Sequence, residues 1–359
     1  MPPSSLHIFG DVFSVLLILG GDVVATALAQ LAGSGLAPAT FSFGWVAYSV
    51  GALMSAVGHN KLMPSSPDCA CKVINGQNGF ARENSSWIIS RVMRDFQVWC
   101  DPLVAKKSQD ILDDKWQDLK RLDSRTTRPQ QAGLVVSVYQ PSKQFVHGTV
   151  KTDSVHWIGF LTMLAQLGVA LIPAYLFGDW GILIITTGGT VLSMATGLLP
   201  QWKTEKWACR RKSRATYILT RGNGSQHAIV MLGNGHGFNL EGLASGQSNV
   251  QAATKSSTRI ALLVLFILWV LLLITAAGLK GHTWFLLAVG GLGIVQNVQV
   301  AGCPRRPESF GLCLDFVDVY AHKKAMETLL ETERNHEHVG RALVPELFPG
   351  DLTAAEVQI

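Results

Sequence analysis

Residues 260–279 read IALLVLFILWVLLLITAAGL, an uncharged run of twenty positions. A helix rises about 1.5 Å per residue, so such a run covers the ~30 Å hydrocarbon core of a bilayer. Five further runs of similar character lie at 12–32, 39–58, 157–178, 180–199 and 283–302. The sequence therefore predicts a membrane, α-helical protein with six transmembrane helices. The runs fall in pairs joined by the short connections 33–38, 178–181 and 280–282, which predicts three helical hairpins.

Charged residues make up 15% of the chain, against about 25% in soluble domains, in keeping with a bilayer location. The chain divides into transmembrane hairpin 1 (1–58), cytosolic segment 1 (59–156), transmembrane hairpin 2 (157–199), cytosolic segment 2 (200–259), transmembrane hairpin 3 (260–302) and a cytosolic tail (303–359). Of 30 Lys and Arg, all but Lys280 lie on the side of the long segments. Cytoplasmic loops carry that excess, so both termini are expected in the cytosol; the sequence does not distinguish endoplasmic reticulum from plasma membrane. Met1 to Gly10 hold no Lys or Arg, so the first span is expected to act as an uncleaved targeting signal.

A basic cluster follows the fourth run at once: Lys203, Lys206, Arg210, Arg211, Lys212 and Arg214, flanked by Trp202 and Trp207. Basic groups near anionic lipid gain about 1 kcal/mol each, so the cluster is expected to meet headgroups of the inner leaflet, with the tryptophans at interface depth. No nucleic-acid partner is read from it. The six cysteines all fall in cytosolic segments and are expected to be reduced thiols.

The polar segments carry their own periodicities. Helices are expected near 84–100 and 103–122, the second amphipathic through Ile111, Leu112, Trp116, Leu119 and Leu122. Leu134 to Tyr139 reads as a strand. Two β-prone runs, 216–220 and 227–232, flank an Asn-Gly turn and predict a hairpin. A strand at 312–316 and helices near 321–334 and 338–347 complete a cytosolic α+β domain assembled from two long loops and the C-terminal tail.

Asp22 lies inside the first run, where a carboxylate costs roughly 2.5–3.5 kcal/mol. It shares a helical stripe with Asp11, Ser14, Ile18 and Thr26, and must face protein or water. Gln296 and Asn297 lie toward the cytosolic end of the sixth run and His59 at that of the second. Together with Asp22 they would line a polar pocket open to the inner side. Thr186, Gly189, Thr190, Ser193 and Gly197 share a small-residue face suited to close helix packing. The expected catalytic set is Asp22, His59 and Asn297, with Thr26, Thr190 and Gln296 as substrate contacts.

Other motifs read as structure. Gly233-Asn-Gly-His-Gly237 lacks the lysine of a phosphate loop and reads as a turn. Asp113-Asp-Lys-Trp-Gln-Asp118 reads as a solvated helix face. Cys69-Ala-Cys71 and His336-Glu-His338 lack the spaced partners of a zinc site. Neither a metal nor another cofactor is expected.

Ser42-Phe-Gly-Trp-Val-Ala-Tyr48, Lys61-Leu-Met-Pro64, Cys71-Lys-Val-Ile-Asn75, Leu199-Pro-Gln-Trp202, Lys206-Trp-Ala-Cys-Arg-Arg211, Leu219-Thr-Arg-Gly-Asn-Gly224 and Asn239-Leu-Glu241 resemble a largely uncharacterised family of polytopic membrane proteins of filamentous fungi. The resemblance spans most of the chain, implies the membrane architecture and carries no catalytic residues across. By analogy with small fungal multi-pass proteins of secondary metabolism, the expected function is to process, or help to process, a lipophilic small molecule at the cytosolic membrane face. Two alternatives use the same features: a transporter or channel built on the Asp22 stripe, and a membrane scaffold for soluble partners.

Overall fold

The computed structural model describes residues 20–33, 35–58, 61–64, 68–144, 148–246, 253–279, 281–348 and 350. In chain order the helices are α1 (20–31), α2 (Gly44–Gly58), α3 (Trp87–Arg94), α4 (Phe96–Trp99), α5 (Pro102–Leu122), α6 (Ser154–Phe177), α7 (Gly181–Gly197), α8 (Pro200–Lys206), α9 (Leu240–Ala244), α10 (Ser256–Ala277), α11 (Thr283–Gly302), α12 (Ala325–Asn335) and α13 (Val339–Leu347). The strands are β1 (Lys72–Asn75), β2 (Ala81–Glu83), β3 (Leu134–Pro141), β4 (Arg211–Ser213), β5 (Tyr217–Thr220), β6 (His227–Met231), β7 (Gly237–Phe238) and β8 (Leu314–His322). Met1–Ser65, Thr152–Trp207 and Val250–Cys303 form a helical unit; Ser66–Lys151, Ala208–Asn249 and Pro304–Ile359 form a sheet unit.

Among the described residues of the helical unit, three helices are long and apolar enough to cross a bilayer: α6, α10 and α11. The pair α7 and α8, bent by 41°, passes the same test as one broken span. Pro200, which cannot donate a backbone hydrogen bond, sits at the break. α10 buries only Thr258, Leu262 and Trp269, so most of its apolar surface faces outward.

The run 39–58 is not one helix. Residues 36–42 are non-helical, Ala37 to Phe43 are buried, and α2 begins at Gly44. Pro38 disfavours helix in the residue before it, and Thr40-Phe-Ser-Phe43 is rich in residues that prefer extended backbone.

Both ends of this element lie at one end of the helical unit. After α1, Lys206 donates from Nζ to the carbonyls of Gln30 (3.3 Å) and Ala32 (2.9 Å), and Gln30 Nε2 reaches the carbonyl of Cys303 beyond α11 at 3.4 Å. After α2, the amide of Leu62 donates to the Glu205 carboxylate at 2.9 Å and that of Met63 at 2.8 Å. The opposite end holds the starts of α7 and α11, where Asp179 and His282 pair at 3.3 Å. Gly35 to Gly58 is therefore re-entrant within the helical unit, extended inward and helical outward. Gly33 lies at the α8 end of the unit, beside Trp207; residues 12–19 of the first apolar run lie outside the described residues.

The sheet unit is built on six strands in the order β2-β1-β5-β6-β3-β8, drawn from all three polar segments. β5 and β6 form an antiparallel hairpin with Tyr217 opposite Met231. β3 runs parallel to β6 and antiparallel to β8 and is buried along nearly its whole length, so Leu134-Val-Val-Ser-Val138 is a mostly apolar run without strict alternation. Leu134, Val136 and Val138 pack with Leu329, Val339 and Leu343 of α12 and α13. α5 is tied to the sheet by Lys107 Nζ on the Val319 carbonyl (2.7 Å).

Some boundaries differ from expectation. β8 extends to His322 because it pairs along all of β3, which delays the next helix to Ala325. The helix expected over 84–100 begins only at Trp87 and breaks at Asp95. Asp113 pairs with Arg128 at 2.6 Å and Asp118 with Lys323 at 2.7 Å, so the aspartate run is a charged surface.

Candidate functional site

The innermost part of the re-entrant element, Pro38 to Phe43, lies among α6, α7, α10 and α11. An extended segment has no helical partners for its N–H and C=O groups, and each such group left unmet in an apolar interior costs roughly 1–3 kcal/mol. Side-chain amides from two helices meet them. Gln166 of α6 donates from Nε2 to the carbonyls of Phe41 (2.7 Å) and Val289 (2.8 Å). Asn297 of α11 donates from Nδ2 to the Thr40 carbonyl (3.1 Å) and Ser42 Oγ (3.2 Å). Thr40 Oγ1 lies 3.1 Å from both Asn297 Oδ1 and the Gly293 carbonyl.

Glycines make the room. A Cβ at Gly293 would collide with the Phe41 carbonyl, and one at Gly189 or Gly290 with the rings of Phe41 or Phe43. Beside the segment, Trp269 of α10 stacks between Trp45 and Phe41, with centroids 5.2 and 6.2 Å away and planes within 10°. Tyr48 meets the Trp45 ring edge-on at 5.5 Å.

Three buried polar atoms here find no partner among the described residues: Gln166 Oε1, Trp269 Nε1 and Tyr48 Oη. Buried polar groups are nearly always bonded. They are an acceptor on α6, a donor on α10 and, on α2, a hydroxyl able to act as either.

The residues expected to carry function are dispersed. Asn297 is at the site, but both its amide protons hold the buried segment. Gln296 is buried next to it in α11. Thr190 bonds the Thr186 carbonyl of its own helix at 2.8 Å, and the small-residue face of α7 serves packing. Asp22 is exposed on α1 and its carboxylate has no partner among the described residues; Thr26 Oγ1 donates to the Asp22 carbonyl at 2.9 Å. His59 lies outside the described residues.

The basic cluster also divides. Lys203, Arg210, Arg211, Lys212 and Arg214 are exposed, whereas Lys206 is buried and its ammonium satisfies the last carbonyls of α1. That is a correction to its expected headgroup role: helix C-termini leave carbonyls without partners, and a buried ammonium meets them. Trp202 and Trp207 are likewise buried inside the unit.

Comparison with protein-family models, with characterised proteins and with solved structures finds no match to this chain. The residues that sequence reasoning passed over are Gln166, Trp269, Tyr48 and Glu205. An amide in the middle of an apolar run, as Gln166 is, was the available signal, because intramembrane polar side chains are rarely idle.

Proposed function

We propose that the helical unit binds a lipophilic small molecule at the membrane and passes it to the cytosolic face, with the re-entrant element as the part that yields. The observation that carries this reading is the inner end of that element: non-helical backbone, an aromatic stack and three buried polar atoms with no partner among the described residues. Irregular backbone at membrane depth occurs where it is enclosed by protein or lines a cavity, and interrupted helices mark binding sites in transporters. A mainly apolar ligand with a few polar groups matches such a surface. In this reading the α8 end is cytosolic, because the Lys and Arg excess lies there. The kinship with fungal polytopic proteins belongs to the same proposal.

The test is uptake by vesicles containing the purified protein, incubated with a lipophilic extract of the source cells and read by mass spectrometry. A compound enriched by the wild type and reduced with Gln166→Leu supports the reading. Uptake identical to protein-free vesicles for every component sinks it.

A second reading, chemical processing of the lipophilic molecule, is favoured by the exposed Asp22 carboxylate on an apolar helix, without a partner among the described residues. There Asp22 supplies an acid or a hydrogen bond, and Thr26 one turn away a contact. It predicts that a deletion strain and an Asp22→Asn strain accumulate the same lipophilic intermediate at matched protein levels; unchanged profiles in both remove it.

A further inference from the structure

The sheet unit holds an open cleft of about 310 Å³, at the lower end of the roughly 300–1,000 Å³ typical of small-molecule sites. Three aromatic rings line it. Tyr139 of β3 is buried, and the half-buried rings of Trp99 and Phe316 pack on it with centroids 5.2 and 5.6 Å away, tilted by 59° and 69°. Tyr139 and Phe316 are directly opposed across the β3/β8 ladder. Trp99 is fixed by its Nε1 on the Val92 carbonyl at 2.8 Å, and Tyr139 by its hydroxyl accepting the Asp101 amide at 3.2 Å.

Around these rings stand three carboxylates, Asp101, Glu308 and Asp315, and one guanidinium, Arg306. The balance is acidic. Asp101 already accepts the Leu103 amide at 2.9 Å, and Asp315 is exposed. Among the described residues no group of three or more His, Cys, Asp or Glu is close enough to hold a metal ion.

Elsewhere the chain covers aromatic faces with its own cations: Arg82 over Phe80, Arg91 over Trp87, Lys120 over Trp116, Lys206 over Trp207 and Arg305 over Phe310. No Lys or Arg of the described residues stands over Trp99, Tyr139 or Phe316. A ring face attracts a cation most when the cation sheds water easily, and alkylation of an ammonium group weakens its hydration.

We propose that the Trp99–Tyr139–Phe316 cleft binds a quaternary ammonium group, with Asp315, Asp101 and Glu308 supplying the countercharge. The site is independent of the one in the helical unit. Full-length protein in a maltoside detergent, which has no ammonium group, is titrated calorimetrically with choline and with its uncharged isostere 3,3-dimethylbutan-1-ol. Choline is expected to bind at least about tenfold more tightly than the isostere, and Phe316→Leu and Asp315→Asn each to weaken it by roughly three- to tenfold.

Equal binding of the two compounds would make the cleft a plain apolar groove and overturn the proposal. Absence of choline binding by protein that unfolds cooperatively, or wild-type affinity in both variants, would overturn it equally. Asp315→Asn, at an exposed position, keeps the test open if Phe316→Leu does not fold. Repeating the titration in bilayer discs separates the sources: binding lost only in phosphatidylcholine discs identifies a lipid headgroup as occupant, and equal binding in phosphatidylcholine and phosphatidylglycerol discs identifies a free cation.

Discussion

Glu205 and Lys206, neighbours on α8, hold the two ends of one re-entrant element: Lys206 takes the last carbonyls of α1 and Glu205 the amides that follow α2. The direction of each bond follows from chain polarity. A helix ends in free carbonyls, which want a cation, and the chain leaving α2 offers amides, which want an anion.

Replacing Glu205 by Ala leaves the Leu62 and Met63 amides without their acceptor and is expected to cost about 1–3 kcal/mol, read as a lower unfolding temperature in detergent. Glu205→Gln keeps one side-chain oxygen that can accept and should lose less than Glu205→Ala. Unfolding temperatures equal to wild type in both variants would contradict the assignment.

Asn297→Leu removes two donors and an acceptor from Thr40 and Ser42 at once. Hydrophobicity alone ranks leucine as the better membrane residue, so a gain in stability is the naive forecast. The expected result is a loss of about 1–3 kcal/mol for each group left unmet, with Asn297→Gln less harmful than Asn297→Leu. Thermal inactivation of the purified protein decides between the two orders.

Gly293 and Gly291 are two residues apart on α11 but face different surroundings. A Cβ at Gly293 would strike the Phe41 carbonyl, while one at Gly291 meets nothing within 4 Å. Gly293→Ala should sharply reduce the yield of folded protein. Gly291→Ala should be neutral or slightly stabilising, since alanine favours helix over glycine by about 1 kcal/mol. Equal yields for both would mean that the extended segment does not pass Gly293.

Much of the fold was legible because two periodicities differ. The uncharged run at 260–279 and the hairpin signal at 216–232 each correspond to an observed element, since local composition decides them. The run 39–58 misled because apolar length alone measures burial and not helix: Pro38 and the alternation of Thr40 to Phe43 argued for extended backbone. The site was harder still. Gln166, Trp269 and Tyr48 lie on separate helices, and only the path of the re-entrant segment sets each of them against Phe41 or Trp45. Asn297 was found as a polar residue, but its partners, Thr40 and Ser42, sit some 250 positions away in sequence.

In the sheet unit, His227 packs edge-to-face on Phe96 at 5.3 Å, and its Nδ1 has no partner among the described residues. Burial first, and the charge of Arg221 second, hold its pKa below the usual His value. The unfolded chain then takes up a proton near pH 6.5 before the folded one does. This contribution to stability is complete above that value, falls away as pH drops through the window between the two pKa values, and changes no further below it. Wild-type protein should lose unfolding temperature between pH 7.5 and 5 by more than His227→Leu does, each unit of depression being about 1.4 kcal/mol. Tryptophan fluorescence melts of both proteins in the same detergent measure the difference, and parallel curves would remove His227 as the cause.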